Sequence, residues 1–119
     1  MRKVKFKVVR ISGRGRRYSV FAEGDYELQY LKGSIVRARE ETLGVAVFKT
    51  RKQAKSFQDR YMLLEIIRVR PIGRGKTVKY ICTDPTEFQL GRFYRTNSSV
   101  RISPIPLGTM FYPAVEVLE

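Results

Sequence analysis

The sequence predicts an α+β fold: a mainly antiparallel, twisted sheet of about six to eight short strands, an amphipathic helix over about 51–61 and a short second helix over about 84–91. Three observations carry this. The chain opens with apolar and charged residues in alternation, the period of a half-buried strand. Past Thr50 the apolar spacing changes to three and four residues, the period of a helix. Elsewhere, short apolar runs are separated by Gly and Pro at strand-length intervals. A small OB- or SH3-like β-barrel satisfies the same pattern and is the alternative. At 119 residues, 43% of them hydrophobic, the chain is long enough to bury one core and reads as a single domain spanning 1–119.

Val4, Phe6 and Val8 alternate with Lys3, Lys5 and Lys7, which puts apolar side chains on one face of the first strand and lysines on the other. The adjacent Val8 and Val9 break that phase and predict a bulge or local twist. A turn at Ser12-Gly13-Arg14-Gly15-Arg16 leads to a returning strand in which Tyr18, Val20 and Ala22 share a face. Residues 26–30 and 35–36 read as short strands around Lys32-Gly33-Ser34. The continuous apolar run 43–48 predicts a central, buried strand. Thr50-Arg51-Lys52-Gln53 has the form of a capping box, threonine accepting from the backbone three residues on and glutamine reaching back. In the helix that follows, Ala54, Phe57 and Tyr61 form the buried stripe and Arg51, Lys52 and Lys55 face outward. Residues 63–70 and 78–82 read as two strands around Ile72-Gly73-Arg74-Gly75-Lys76. Asp84-Pro85-Thr86-Glu87 is a helix start, with Gly91 as its stop. Residues 99–103 and 115–118 supply the last strands, on either side of a proline-broken loop.

Charge is the compositional outlier: 24 Lys plus Arg against 11 Asp plus Glu, a net +13. Residues 1–22 hold eight basic and no acidic residues, and residues 49–79 hold ten and two; the rest of the chain is slightly acidic. The two basic blocks resemble each other, Arg10-Ile11-Ser12-Gly13-Arg14-Gly15-Arg16 aligning with Arg70-Pro71-Ile72-Gly73-Arg74-Gly75-Lys76. They read as two similar basic β-hairpins, at about 3–23 and 62–82, and the two turns and the start of the first helix are expected on one side of the fold.

The catalytic inventory is thin. With no histidine and one cysteine, Cys82, there is no nucleophile–base pair, no intrachain disulfide and no zinc site, so neither a catalytic residue, a metal nor a cofactor is expected. None of the eight glutamates has a lysine two residues on, which excludes the Glu-x-Lys nuclease pattern. The acid pairs Asp25 with Glu27, Glu40 with Glu41 and Asp84 with Glu87 read as a loop, a turn and a helix cap. Gly75-Lys76-Thr77 ends like a phosphate-binding loop, but the glycine that motif needs five residues earlier is Arg70. No apolar run is long enough to span a membrane and the start lacks a signal-peptide core, so a cytoplasmic location, not secreted and not membrane-bound, is expected.

A polyanion partner follows from what is left. Arginine outnumbers lysine 15 to 9, and its planar fork suits phosphate. The expected phosphate contacts are Arg14, Arg16, Arg17, Arg74 and Lys76, helped by Lys3, Lys5, Lys7, Arg51, Lys52 and Lys55. Tyr18, Tyr80, Phe93 and Tyr94 sit beside cations and are the candidates for stacking on bases. The expected partner is DNA or RNA. The alternative is an interaction protein whose basic surface engages an acidic host protein, or a minor virion component; monomer and homodimer are equally compatible.

Residues 30–38, 41–50 leading into Gln53-Ala54-Lys55-Ser56-Phe57, and Gly108-Thr109-Met110-Phe111-Tyr112-Pro113-Ala114-Val115, with Ile72-Gly73-Arg74-Gly75, resemble small uncharacterised proteins encoded by phages and archaeal viruses. The resemblance covers about a third of the chain and implies a viral origin, with the host cytoplasm as location; it carries no function.

Overall fold

A computed structural model of the chain describes residues 4–20, 22, 24–40, 42–61, 63–82, 86–96 and 102–119. The fold is α+β. The elements are β1 (Lys5–Ile11), β2 (Arg17–Tyr18), a 3-10 turn (Gly24–Tyr26), β3 (Ile35–Arg37), β4 (Val45–Phe48), α1 (Arg51–Gln58), β5 (Leu64–Ile72), β6 (Tyr80–Cys82), α2 (Glu87–Thr96), β7 (Ile102–Pro104), β8 (Thr109–Tyr112) and β9 (Ala114–Val117). Seven strands form an antiparallel sheet of order β3-β9-β5-β1-β4-β8, with β2 also on β1; β6 and β7 form a separate pair. Among the described residues no pairing joins β3 to β8, so the sheet is open rather than a closed small barrel.

The centre of the sheet is the β1–β5 ladder, whose register runs without interruption from Lys5↔Val69 to Arg10↔Leu64. The bulge expected at Val8–Val9 is absent on this side. Adjacent valines are accommodated because both faces of the sheet are cored. Val9 joins Ile67, Val69, Val45, Val47, Val115 and Val117 around Tyr30 on one face, while Val8 joins Phe48 and Ala54 on the other. Full burial of each such aliphatic side chain contributes roughly 1.5–3 kcal/mol. The interior proline of β5, Pro71, pairs with Val115 of β9 and lies past the point where β1 begins opposite Val69, so its missing N–H costs no ladder bond on the β1 side.

α1 begins as expected, the Gln53 N–H donating to Thr50 Oγ1 at 3.2 Å. The other half of the capping box is not made: Gln53 Oε1 is buried without a hydrogen-bond partner, its amide packed where a Cβ on Gly108 would stand. The regular helix ends at Gln58, and 59–61 continue as a turn. α1 lays Ala54 and Phe57 onto Phe6, Val8, Leu64 and Ile66.

The second expected helix is displaced. Residues 83–85, including the Asp84 cap, lie outside the described residues, and α2 continues through Gly91 to Thr96. Gly91 is a close-packing position rather than a stop, since the Tyr26 hydroxyl lies 3.3 Å from where its Cβ would be. Leu90 and Phe93 of α2 with Cys82 of β6 form a third cluster against Ala22, Tyr26 and Leu43. Of the strand expected over 26–30, residues 28–30 run beside β2 through a single bridge, Tyr18↔Gln29. Of the strand expected over 99–103, residues 99–101 lie outside the described residues.

The first basic block forms a hairpin, β1 and β2 around 12–16; the second does not. β5 is flanked on one side by β1 and on the other by β9, so the chain emerging from the 73–76 turn has no free edge of β5 to return to. Lys76 instead exchanges two backbone hydrogen bonds with Phe111 of β8, and β6 pairs with β7.

Candidate nucleic-acid interface

The ladder register places the two basic turns at opposite ends. The 12–16 turn follows Ile11, whose N–H donates to Leu63 O, so it sits where β5 starts; the 73–76 turn leaves where β5 finishes. Eight residue steps along the strand separate Leu64 from Ile72, about 26 Å at 3.3 Å per step. A single surface uniting both turns with α1, as the sequence led us to expect, does not form. α1 itself adjoins only the first turn: Gln58 Nε2 donates to Leu64 O, at the same joint that receives Ile11.

Within the 12–16 turn four backbone N–H groups are satisfied locally. The Ser12 N–H donates to Arg16 O, the Gly15 N–H to Ser12 O, and the Arg14 and Arg16 N–H groups to Ser12 Oγ. Gly15, at φ +76°, supplies the left-handed residue that closes it. These N–H groups are therefore not a phosphate cradle, and the side chains of Arg14 and Arg16, both exposed, are what the turn presents. Arg17 is engaged elsewhere: it bonds the Glu119 carbonyl and pairs with Glu65 at 3.0 Å.

On α1, Arg51, Lys52 and Lys55 are exposed and line a shallow groove with Gln58 and Ile66. Arg51 lies over the Phe6 ring, 5.0 Å from its centroid, and Lys55 pairs with Asp59 at 3.0 Å. The groove continues onto open sheet. α1 covers Leu64 and Ile66, but the next residues on that face of β5, Arg68 and Arg70, lie beyond it, as does Arg37 on β3. Arg68 and Arg70 pair with Glu119 at 3.2 Å and Glu116 at 2.6 Å. Such part-exposed pairs are worth about 0–1 kcal/mol and exchange readily for another anion. No acidic side chain among the described residues pairs with Arg14, Arg16, Arg51, Lys52, Arg74 or Lys76. Arg37, Arg68 and Arg70 were not among the expected contacts; for Arg68 and Arg70 the signal is in the sequence, since Ile67 and Val69 alternate with them at a strand's period.

Other expected positions resolve differently. Lys3 lies outside the described residues, and Lys5 is half-buried with interactions of its own. Lys7 is no surface cation. It is 8% exposed, on the same face as Val9, and burial pushes its ammonium down from 10.5 to about 8. Among the stacking candidates, Phe93 is buried in the α2 cluster, and Tyr94 packs against Tyr26 and Phe93 at centroid distances of 5.3 and 5.7 Å. Tyr18 is half-buried with Arg10 over its ring, while Tyr80, 54% exposed on β6, stands open. Of the acid pairs, Glu27 is bonded to Arg10 at 2.7 Å and Glu40 is exposed; the carboxylates of Asp25, Glu41, Asp84 and Glu87 lie outside the described residues. Among the described residues no group of three His, Cys, Asp or Glu is placed to hold a metal, and no helix is long and apolar enough to cross a membrane. No protein-family model, curated protein or solved structure matches the chain.

Proposed function

We propose that the protein is a non-enzymatic nucleic-acid-binding protein that contacts backbone phosphates through α1 and its flanks. Arg51, Lys52 and Lys55 grip one strand's phosphates, Arg14 and Arg16 extend the contact past the helix end, and Arg37, Arg68 and Arg70 extend it over the open half of the sheet. The observation that carries this reading is the uncovered groove between α1 and β5, lined by three helix cations and continued by Arg68. Phosphate contact rather than a run of stacked bases is favoured because only Tyr80 of the four candidate rings is exposed, and it lies on the separate β6–β7 pair. The likeness to small viral proteins fits a virus-encoded protein acting on nucleic acid in the host cytoplasm.

Anisotropy titrations of labelled duplex DNA and RNA over about 50–200 mM salt test it. Log affinity should fall linearly with log salt, and changing Arg51, Lys52 and Lys55 together to Gln should reduce the slope by about 2–3. Binding that ignores salt, or no binding to either duplex or single strands, overturns the reading.

A further inference from the structure

A part-open cavity of about 150 Å³ lies between the large sheet and α2, where the sheet splits. On the edge of β1 away from β5, β4 pairs with its start at Phe6 and β2 with its end at Arg10; between them, beside Val8, no strand pairs on that edge among the described residues. The walls are mainly apolar and aromatic, from Val45 and Phe111 on the sheet to Leu90 and Phe93 on α2. Set into this lining is Lys7, more than nine-tenths buried, with the Tyr30 ring 5.4 Å from its Nζ and no acidic partner among the described residues. Ser19 and Thr109, also buried, are among the few other polar side chains on the wall.

An ammonium held in such surroundings without a counter-ion is unfavourable, and an anion brought to it relieves the cost. The anion must carry an apolar body, because apart from Ser19, Arg39, Thr42 and Thr109 the side chains it would touch are mainly hydrocarbon or ring. It must also be compact, since cavities of about this volume accept guests the size of benzene. We propose that this cavity binds a compact apolar monocarboxylate, its body against Val45, Leu90, Phe93 and Phe111 and its carboxylate against Lys7 Nζ. The inference is independent of the nucleic-acid reading, because Lys7 belongs to the inner face and none of the groove cations lines the cavity.

Sodium benzoate is the probe, titrated into the full chain at neutral pH and followed by amide chemical shifts. Saturation at one site, with shifts at Lys7, Val45, Leu90 and Phe93, is the expected result. Toluene, the same ring without the charge, should bind the unaltered chain at least about tenfold more weakly. Lys7→Met should weaken benzoate by at least about tenfold while leaving toluene within about threefold. Far-UV circular dichroism checks that the variant folds; if it does not, the benzoate–toluene comparison on the unaltered chain decides alone. Benzoate that fails to saturate, binds no better than toluene, or shifts only the exposed residues of α1 overturns the proposal.

Discussion

Lys7 Nζ stands 5.4 Å from the centroid of the Tyr30 ring, and both side chains are buried, so a cation and a phenol share one buried site in the core. Burial lowers the lysine to about 8 and raises the tyrosine, the latter against a smaller opposing effect from its hydrogen bond with Ser19. Below pH 8 the amine is protonated in both the folded and unfolded chain, and the full cost of burying the charge is present. Between pH 8 and 10.5 the unfolded chain keeps a proton that the folded chain has released, so stability rises with pH. Tyr30 works in the opposite sense, but only above pH 10, where the unfolded phenol begins to ionise. Stability from urea midpoints should therefore be about 2 kcal/mol higher at pH 9.5 than at pH 7. Lys7→Met should be more stable at pH 7 than the parent and lack this rise. A parent profile that is flat or falling over the same range would show that Lys7 is solvated.

The opposed positions of the two basic turns predict unequal roles. Changing Arg14 and Arg16 to Gln should lower the salt slope of nucleic-acid binding by about 2, because their turn adjoins the end of α1 at Leu63–Leu64. The same change at Arg74 and Lys76, at the other end of β5, should lower it by less than about half that amount. Equal effects from the two pairs would mean that net charge, not the α1 surface, governs binding.

The contrast shows what the sequence could disclose. Period and capping are local, so β1, β4, α1 and β9 were readable from Val4–Phe6–Val8, from 43–48, from Thr50–Gln53 and from 115–118. Strand partnership is not local. The likeness between the 10–16 and 70–76 segments predicted two hairpins, yet β1 and β9 flank β5 and send the second returning strand to β7. The charge on alternate residues of β1 was equally ambiguous, because a lysine face that looks solvated in sequence becomes interior once both sides of the sheet are covered, as at Lys7. β8 went unread because Thr109–Tyr112 directly follows the proline-rich loop, and its strand character comes from pairing with β4.

The half-made capping box separates two contributions usually linked. Thr50→Ala removes the acceptor for the Gln53 N–H and should cost about 1 kcal/mol in the urea-derived stability. Gln53→Met removes a buried oxygen that bonds to nothing and should raise stability by about 1 kcal/mol. A loss at Gln53→Met matching that at Thr50→Ala would mean that the glutamine caps the helix in solution.

Gly44 is where the edge of the sheet should tolerate least. Its φ is +117°, a conformation side chains rarely adopt, and a Cβ there would stand 2.8 Å from the carbonyl oxygen of Tyr112. That oxygen is backbone, fixed by the Val45↔Tyr112 pairing that joins β4 to β8, so no rotamer change can relieve the contact. Gly44→Ala should cost about 2 kcal/mol or more, combining backbone strain with displacement of β8. Gly13→Ala is the matched control, because a Cβ there meets nothing within 4 Å and its φ is not positive; its change should stay within about 0.5 kcal/mol. The two variants differ by the same single methyl group, so a similar, small cost at both would show that β8 shifts freely against β4. Because Phe111 and Thr109 of β8 line the cavity, a β8 that moved that freely would leave its volume undefined.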